Sequence, residues 1–546
     1  MTIRKILLAS CAFAAFAIPA AADTASVEQR LDTLQKMIEA QQQQIESQKS
    51  EIAALKKQSG SKKGKAPSSA TSAALPPPVE SAPPPPALET KVADQQAKID
   101  ALTMQLEADE NSARLTKQDA PVWSLAGGRP TITSADGRFS LAIRTLVQYD
   151  QGYYMQGSKA LSLAAANGPD LSSGGNFRRA WLGVQGKLFG DWSYYFNYDF
   201  GGSNTEGPGH IQQVWLQYDG LGPFALRVGA FSPADGLEDA TSASDTIFLE
   251  RTAPADSARN IAGGDGRNAV SLVYSDDRWF GSLAYSGNKI QDSGAFDEQQ
   301  AAVGRLAGLV YTSDDVKVLL SAGGSYVFKP QDAAAGSAST SGGTISFSTA
   351  PELTVDNTAT KFVTTGSIAS DHSWQWGLEA AAGWKSLYAQ GGYFRYGIDL
   401  RTSKAAYGFN GWYGLATWVL TGESKPYLPA TGAFGNPKPR IPFSFNGGGW
   451  GAWELAGRFS DLNLNDNAGV AGSALPTGGL RGGDQKIWTL GINWYPVSAV
   501  KFALQYENIG IDRLGTIPAA GTKAAVNNAQ VGQTLNTFAI RTQVSF

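Results

Sequence analysis

The sequence predicts an all-β chain: a transmembrane antiparallel β-barrel of about 16 strands, preceded by an N-terminal α-helical coiled coil and a Pro-rich linker. Three observations lead to this fold class. All 14 tryptophans lie from residue 123 onward, where apolar and polar residues alternate along segments of about ten residues. Aromatic residues gather at the ends of these segments, as at the two interfaces of an outer-membrane barrel. Short and long connections alternate between the segments.

Composition excludes several other classes of protein. The 546 residues include 45 Lys+Arg and 48 Asp+Glu, and the formal net charge of -3 argues against a nucleic-acid binder, which needs a basic surface. No stretch of about 18 apolar residues follows residue 22, so a helical membrane protein is excluded. The one cysteine, Cys11, lies in the segment that we expect to be removed, so disulfides and thiolate metal ligands are not expected.

Residues 1–22 are predicted to be a secretory signal peptide. Arg4 and Lys5 precede an apolar run over residues 6–17, and small residues follow up to Ala22, where cleavage is expected. A lipoprotein cleavage site at Cys11 is the alternative, but the apolar core before it would be only a few residues long.

The next three segments differ in composition. Residues 23–58 carry a heptad pattern of apolar residues, and residues 88–118 repeat it, so both predict short coiled coils. A lone solvated helix is the alternative, since glutamines occupy some of the seam positions. Residues 59–87 are rich in Lys, Ser and Ala and then in Pro, which predicts an extended linker.

Residues 123–546 are predicted to form the barrel. In the last segment Phe538, Ile540 and Val544 share one face, whereas Arg541 and Gln543 share the other. A soluble β-sandwich also alternates in this way, but many such segments with aromatic ends favour strands that close on themselves in a bilayer. At roughly 25 residues per strand and connection, the region holds about 16 to 18 strands.

The connections predict one functional loop. The turn at Gly190-Asp191 is tight, whereas residues 232–267 form the longest early connection and follow the fifth predicted strand. General porins fold a constricting loop into the lumen at that position, and we expect the same role here by analogy.

Several stretches of the predicted barrel resemble a known protein family. Residues 178–187, RRAWLGVQGK, and 189–194, FGDWSY, resemble the signature hairpin of the phosphate-selective porin O and P family. Residues 223–231, 236–238 and 248–251 resemble the family's next block in order and spacing. The resemblance covers residues 123–546 and is most specific over 177–252.

The resemblance implies a homotrimer of 16-stranded barrels in the outer membrane, passing small anions, with phosphate suspected, through a lumen lined by arginine and lysine. It carries the anion-pathway role to Arg179 and Lys187 on the hairpin and to Arg251 on the long connection. Residues 232–235 depart from the family, in which a basic residue is usual near the start of this loop. That departure weakens the phosphate assignment more than the porin assignment.

Strand parity extends the predicted anion pathway. Rings of Arg and Lys make a pore favour anions, and a guanidinium can hold phosphate oxygens with two hydrogen bonds. Charges of both signs that merely keep a lumen wet are the alternative, since parity slips at every bulge. The predicted inward acids are Asp199, Glu379, Glu454 and Glu507. The predicted anion-pathway residues are Arg179, Lys187, Arg227, Arg251, Arg259, Arg267, Arg144 and Arg458.

The sequence offers little for an enzyme, and no cofactor or metal is predicted. His210 and His372 have no His or Cys at metal-ligand spacing, and no catalytic triad or phosphate-binding loop stands out. The alternatives are a general or sugar-type porin without anion preference, and an outer-membrane anchor for a periplasmic coiled coil. In either case the coiled coil is expected in the periplasm, where peptidoglycan or periplasmic proteins are possible partners.

Overall fold

The computed structural model describes part of the N-terminal region and most of the remaining chain. The described residues are scattered positions between 33 and 57, followed by 86–125, 128–156, 171–202, 209–292, 297–332, 343–356, 360–403, 405–470, 473–518 and 525–546. They divide into two compact units, Met1–Pro121 and Val122–Phe546.

The N-terminal unit is helical where it is described. The described positions between 33 and 57 are helical, and helix α1 spans Pro86–Asp119. A proline suits the first turn of a helix because its missing N–H has no partner there in any case. The predicted signal peptide and residues 59–85 of the predicted linker lie outside the described residues, and the coiled-coil pairing stays a prediction. None of the helices in the described part of the chain is both long and apolar enough to cross a membrane.

The second unit is a closed antiparallel barrel of 16 strands, so the predicted barrel of about 16 strands is confirmed. The ring closes where its last strand, Ala525–Ser545, pairs with its first strand, Ser140–Gln156. The ring strands are β3 (Ser140–Gln156), β4 (Gly174–Leu188), β5 (Trp192–Asp199), β6 (His210–Leu221), β7 (Phe224–Phe231), β8 (Arg267–Ser275), β9 (Trp279–Lys289), β10 (Gln300–Thr312), β11 (Val316–Lys329), β15 (Ile368–Trp384), β16 (Leu387–Leu400), β17 (Ala406–Val419), β20 (Ala452–Asp466), β21 (Leu480–Val497), β22 (Val500–Pro518) and β23 (Ala525–Ser545).

Short elements lie outside the ring. A small hairpin pairs with β3, two further pairs and one short strand lie in connections, and two helices occupy the connection after β7. These elements are β1 (Val122–Ser124), β2 (Thr131–Thr133), α2 (Leu237–Ala240), α3 (Ala253–Ala262), β12 (Thr344–Ile345), β13 (Ser348–Thr349), β14 (Val363–Thr364), β18 (Tyr427–Leu428) and β19 (Ala433–Phe434).

The predicted alternation is seen directly in β23. Phe538 and Ile540 are 49% and 48% exposed, whereas Arg541 and Gln543 are each 2% exposed. Neighbouring side chains of a strand point to opposite faces, so the apolar set faces outward and the polar set faces the interior. The outer face of the strand is therefore apolar, which suits contact with the hydrocarbon of a bilayer.

One bulge changes the predicted parity at a decisive place. Gln148 on β3 pairs with Arg179, but the next residue, Tyr149, pairs with Phe177, so Arg178 is an extra residue on β4. A bulge lets two successive side chains leave on the same side of the strand. Both Arg178 and Arg179 are consequently buried, at 5% and 4% exposure.

The two ends of the barrel carry different connections, with one exception. The turns after β4, β6, β8, β10, β15 and β21 are short, and we call their side the turn end; the long connections leave from the opposite, loop end. The exception is the connection 420–451 between β17 and β20, which is long although it lies at the turn end. The alternation of short and long connections in the sequence predicts only short connections at this end.

Candidate functional site

Residues of three connections contact inward-facing side chains of the barrel strands. We call residues 232–266 loop A, residues 343–356 loop B and residues 420–451 loop C. Loop A runs from β7 to β8, loop B belongs to the connection from β11 to β15, and loop C joins β17 to β20.

Loop A is bonded to the inward side chains on the far wall. Lys501 Nζ donates to the carbonyl of Thr246 at 2.6 Å, and Arg541 Nη1 donates to that of Leu249 at 2.7 Å. The amide N–H of Leu249 donates to Gln505 Oε1 at 2.9 Å. Since these bonds come from β22 and β23, loop A reaches wall strands that are distant from its own ends in the chain.

The start of loop A is fixed against β11 and β15. A Cβ on Gly323 would lie 1.6 Å from the Asp235 carbonyl oxygen, so only glycine permits this approach of loop and wall. The Gln375 side chain donates to one carboxylate oxygen of Asp235, and Glu379 accepts from the amide of Leu237 at the start of α2. Three contacts therefore determine where the loop enters.

Loop C approaches loop A from the turn end. Arg305 on β10 donates to the carbonyls of Thr431 and Gly432 at 2.7 and 2.8 Å, so loop C spans from β17 toward β10. Asn436 Nδ2 donates to the Ser244 carbonyl of loop A at 2.7 Å. Loop C is therefore bonded both to the barrel wall and to loop A.

Two cavities are lined by residues of these loops. The larger, of about 650 Å³, is lined by loops A and B, and the smaller, of about 30 Å³, is lined by loops A and C. Glu250 and Arg251 line both cavities. The basic residues that line the larger one are Arg178, Arg251, Arg259, Arg267, Lys289 and Lys361, and the acidic ones are Glu250, Asp256, Asp265, Asp292 and Glu352.

The three predicted arginines of loop A and its exit have different partners. Arg251 donates to the carbonyls of Glu238 and Thr241 at 3.0 and 3.2 Å, whereas Arg259 Nε is ion-paired with Asp239 at 2.6 Å. Arg267 donates to four carbonyls, two of them in the last turns of α3. A guanidinium at a helix C-terminus satisfies carbonyls that lack helical partners, which explains the burial of Arg267.

The predicted arginines of the early strands lie along the inner wall. Arg179 Nη1 donates to Gln148 Oε1 at 2.8 Å, and Gln148 in turn bonds the Ala243 carbonyl of loop A. Arg144 donates to Gln185 at 3.2 Å. Arg227 is stacked on Trp215, its guanidinium carbon 4.4 Å from the ring centroid. Arg179 is therefore the one that reaches the loop A network.

The last two predicted residues, Lys187 and Arg458, have different surroundings. Lys187 is exposed near the turn end of β4, next to the tight turn that follows Leu188. Arg458 on β20 is 3% exposed; Nη1 donates to the Glu250 carbonyl at 2.8 Å and Nη2 is ion-paired with Glu352 of loop B.

Charge compensation shifts the pKa values of the loop carboxyls. Burial alone would raise the pKa of Glu250, but the guanidinium groups of Arg178, Arg179 and Arg541 outweigh it and hold the pKa well below its usual range. In the same way, Arg259 and Arg251 outweigh burial and lower the pKa of Asp265 to about 2. Both groups are therefore anions near neutral pH and neutralise part of the cationic lining.

Several residues of this network were not predicted from the sequence. Arg178, which binds Glu250 through Nε at 2.7 Å, is one, and the consecutive arginines at 178 and 179 within a strand could have indicated the bulge. Asp150, which binds Arg541, follows the inward parity of β3 but is absent from the predicted acids. Glu352 lies in a loop without periodicity, so no sequence signal identifies it.

Among the described residues, no group of three or more His, Cys, Asp or Glu side chains is placed to hold a metal ion. His210 lines the larger cavity. His372 stacks on Tyr326 with ring centroids 5.7 Å apart.

The sequence matches a known protein family and a curated relative. The family model of phosphate-selective porin O and P matches residues 155–545. Among curated proteins, Porin O of Pseudomonas aeruginosa is 25% identical over 434 residues, which cover 76% of this chain and 93% of that protein.

Two solved structures match the chain at low sequence identity. OmpT of Vibrio cholerae matches with a TM-score of 0.43 at 11% identity, over 75% of this chain and 98% of that one. The anion-selective porin from Comamonas acidovorans matches with a TM-score of 0.42 at 13% identity, over 75% of this chain and 100% of that one.

Proposed function

Since the chain belongs to the phosphate-selective porin O and P family, we propose that it gives small anions, with phosphate or pyrophosphate as candidates, passive passage through an Arg/Lys-lined lumen. Family membership makes the chain an outer-membrane porin, which is a channel and not an enzyme. The anion that it prefers is the part that we infer from the site.

Arg251 carries the anion preference in this proposal. It lines both cavities, and its hydrogen bonds go to the neutral carbonyls of Glu238 and Thr241. Among the described residues, Arg251 makes no ion pair within 4 Å. A guanidinium that lines both cavities and whose hydrogen bonds go to neutral carbonyls attracts anions and repels cations.

Loop A is the element that narrows the pathway in this proposal. Its bonds to Lys501, Gln505 and Arg541 hold it against the wall opposite its own strands. Loop C supports it through the bond from Asn436 to Ser244. In this proposal the two bonded loops narrow the lumen and place their charged side chains beside the path of the ion.

A general porin without anion preference is the second candidate, and specific ion pairs favour it. Arg178 pairs with Glu250, Arg259 with Asp239, Arg458 with Glu352, Arg541 with Asp150 and Lys425 with Glu454. Two of these paired cations, Arg259 and Arg458, belong to the predicted anion-pathway residues, so their charges are compensated by carboxylates. The two candidates therefore differ in whether the charge of Arg251 gives anion selectivity to a lining whose other charges are mostly compensated.

Planar-bilayer recording in a KCl gradient separates these candidates. An anion-selective pore gives a reversal potential of the sign set by chloride, and added phosphate then reduces the chloride current. A reversal potential near zero, with block by sugars and not by phosphate, supports the general or sugar-type porin. A reversal potential of the opposite sign refutes the anion pathway, and the absence of steady conductance supports a structural anchor.

The N-terminal helical region has a separate proposed role. Residues 23–58 and 88–118 form short periplasmic coiled coils that stiffen a homotrimer or contact peptidoglycan or periplasmic proteins, with the Pro-rich linker setting their spacing. The helical state of the described residues supports this role. Deletion of residues 23–118 should lower the temperature at which trimers dissociate on gels. Trimers of unchanged thermal stability and unchanged pull-down of peptidoglycan would contradict it.

A further inference from the structure

The last part of loop C carries large apolar side chains that are uncovered. We call residues 438–450 the rim segment. Within it Ile441, Phe445 and Trp450 are 64%, 93% and 76% exposed. Phe434, earlier in the same loop, is only 4% exposed. Large apolar side chains that stay uncovered in one short segment indicate an interaction surface. Loop C therefore has a buried part, which meets loop A, and a part that presents an apolar surface.

The rim segment is bonded to two tryptophans of the barrel wall. Phe443 makes an edge-on contact with the ring of Trp494 on β21, with centroids 5.2 Å apart. The indole N–H groups of Trp494 and of Trp453 on β20 both donate to the Trp450 carbonyl, at 2.9 and 3.1 Å. The position of these two tryptophans therefore determines where the rim segment lies.

Trp453 and Trp494 belong to the outer face of the barrel. Each is next in the chain to a side chain of the interior, Glu454 or Asn493, which are 0% and 2% exposed, so both indoles point outward. Trp494 also stacks on Phe502 near the start of β22, with centroids 5.4 Å apart. Aromatic residues on the outer face near one end of an outer-membrane barrel mark the level of a lipid interface. The rim segment is thus continuous with the lipid-facing surface at the turn end.

Backbone contacts hold the rim segment at this end. The Phe443 amide donates to the Pro496 carbonyl, close to the turn between β21 and β22, at 2.8 Å. A Cβ on Gly451, the residue that follows the segment, would lie 2.5 Å from the Tyr495 carbonyl oxygen, and the φ of +70° also favours glycine there. The segment is therefore closely attached to the rim of the barrel.

Two cations flank the exposed apolar residues. Lys438 and Arg440 are both exposed, and Arg440 Nη2 donates to the neutral carbonyl of Gly422 at 2.6 Å. Neither cation forms an ion pair within 4 Å in the part of the chain that the structure describes. Trp, Phe and Ile beside Lys and Arg is the composition of segments that lie in a membrane interface, where the cations attract anionic headgroups.

We propose that the rim segment docks on the lipid interface at the turn end of the barrel, with its three exposed apolar side chains at the acyl-chain boundary and its two cations at anionic phosphate headgroups. Lipid is favoured over a second copy of this chain, because the segment continues the outward aromatic surface and its charges match anionic headgroups. Docking fixes the outer end of loop C, whose inner part bonds loop A through Asn436. The inference does not depend on which ion the pore prefers.

A spin label at position 445 tests whether this surface lies in lipid. The side chain of Phe445 is almost fully exposed, so the labelled variant Phe445→Cys should still fold. In vesicles that contain phosphatidylglycerol, power-saturation spectra compare collisions with oxygen, which concentrates in lipid, and with a polar nickel chelate, which stays in water. Leu283→Cys, on the outer face of β9, is the lipid control, and Asp314→Cys, in the exposed turn after β10, is the water control.

We expect the oxygen-to-nickel collision ratio at position 445 to lie near that of the lipid control and well above that of the water control. The label in Trp450→Cys should behave in the same way. A ratio at both positions like that of the water control would overturn the proposal. Low collision rates with both reagents would also overturn it, because another subunit would then cover the segment.

The lipid composition tests the role of the cations. In vesicles with phosphatidylglycerol, Lys438→Gln should lower the ratio of docked to undocked label at position 445 about fivefold, because a basic residue near an anionic surface favours the docked state. In vesicles of phosphatidylcholine alone, Lys438→Gln should leave that ratio unchanged. The same ratio with and without Lys438 in anionic vesicles would overturn the role of anionic headgroups.

Discussion

Arg541 and Asp150 lie directly opposite each other across the seam where the last strand of the barrel meets the first. Nε and Nη2 of Arg541 each donate to a different carboxylate oxygen of Asp150, both at 2.6 Å. The third nitrogen, Nη1, donates to the Leu249 carbonyl of loop A at 2.7 Å. One side chain therefore joins barrel closure to the placement of the loop.

We expect Asp150→Asn to destabilise the folded barrel markedly. The pair is buried, with side-chain exposures of 1% and 0%, and loss of the Asp150 charge leaves Arg541 with Glu250, 3.5 Å away, as its remaining carboxylate partner. Breaking a buried pair of this kind costs about 3–5 kcal/mol. Heat-induced loss of the compact gel band in detergent measures the change as a lower transition temperature.

The exposed pair Lys385–Asp315 supplies the control for the seam. Its side chains are 62% and 60% exposed, and such pairs contribute about 0–1 kcal/mol. Asp315→Asn should therefore leave the transition temperature nearly unchanged. Equal shifts for Asp150→Asn and Asp315→Asn would contradict the importance of the seam.

Lys501→Met should loosen loop A without breaking the barrel. Methionine fills a similar volume but cannot donate, so the Thr246 carbonyl, now bonded at 2.6 Å, loses its partner at a cost of about 1–3 kcal/mol. We expect a larger and noisier single-channel conductance, because a less firmly held loop leaves more space for ions. Lys317→Met is a control that removes the same charge from a residue with no hydrogen bond to loop A among the described residues. Unchanged conductance in Lys501→Met, with a folded barrel, would show that this bond does not hold the loop.

Asp235 predicts a pH dependence of stability. Burial, reinforced by the negative charge of Asp239, raises the pKa of Asp235 from 3.8 to about 7. Because the folded state prefers the protonated form, stability is lost as the pH rises from about 4 through about 7, at about 1.4 kcal/mol per pKa unit. The variant Asp235→Asn has no charge at any pH, so its transition temperature should rise relative to wild type between pH 5 and pH 8. Parallel curves for wild type and Asp235→Asn would contradict the shift, and Asp276→Asn in an exposed turn is the control.

The outward and inward faces of the strands could be predicted because the alternation of apolar and polar residues is a local property of the sequence. The faces assigned to Phe538 and Arg541 follow from alternation alone, and the exposures of 49% and 2% agree with it. Arg178 could not be placed by parity, since the bulge opposite Gln148 and Tyr149 depends on the pairing of two strands.

The centre of the site could not be predicted, because its contacts join distant segments. Glu352 meets Arg458 across 106 residues of chain, and Arg305 meets Gly432 across 127. The length of loop C also follows no periodic pattern, so its extension from the turn end toward β10 had no sequence signal. The predicted cations were mostly inward, but their carboxylate partners come from loops whose conformation only tertiary contacts determine.

Arg251→Gln should reduce anion selectivity more than any other single change in the lining. Glutamine can still donate to the Glu238 carbonyl, now bonded to Arg251 Nε at 3.0 Å, so the loop should keep its position while the charge is lost. An elementary charge near a passing ion stabilises an anion and destabilises a cation by about 1 kcal/mol each when solvent screens it, so the anion-to-cation permeability ratio should fall up to about thirtyfold. Reversal potentials in a KCl gradient measure the ratio, with Arg251→Lys as the variant that retains charge and Lys187→Gln as an exposed control. If Arg251→Lys shifted the reversal potential as far as Arg251→Gln, geometry and not charge would set the selectivity, because both variants lose the guanidinium but only one loses the cation.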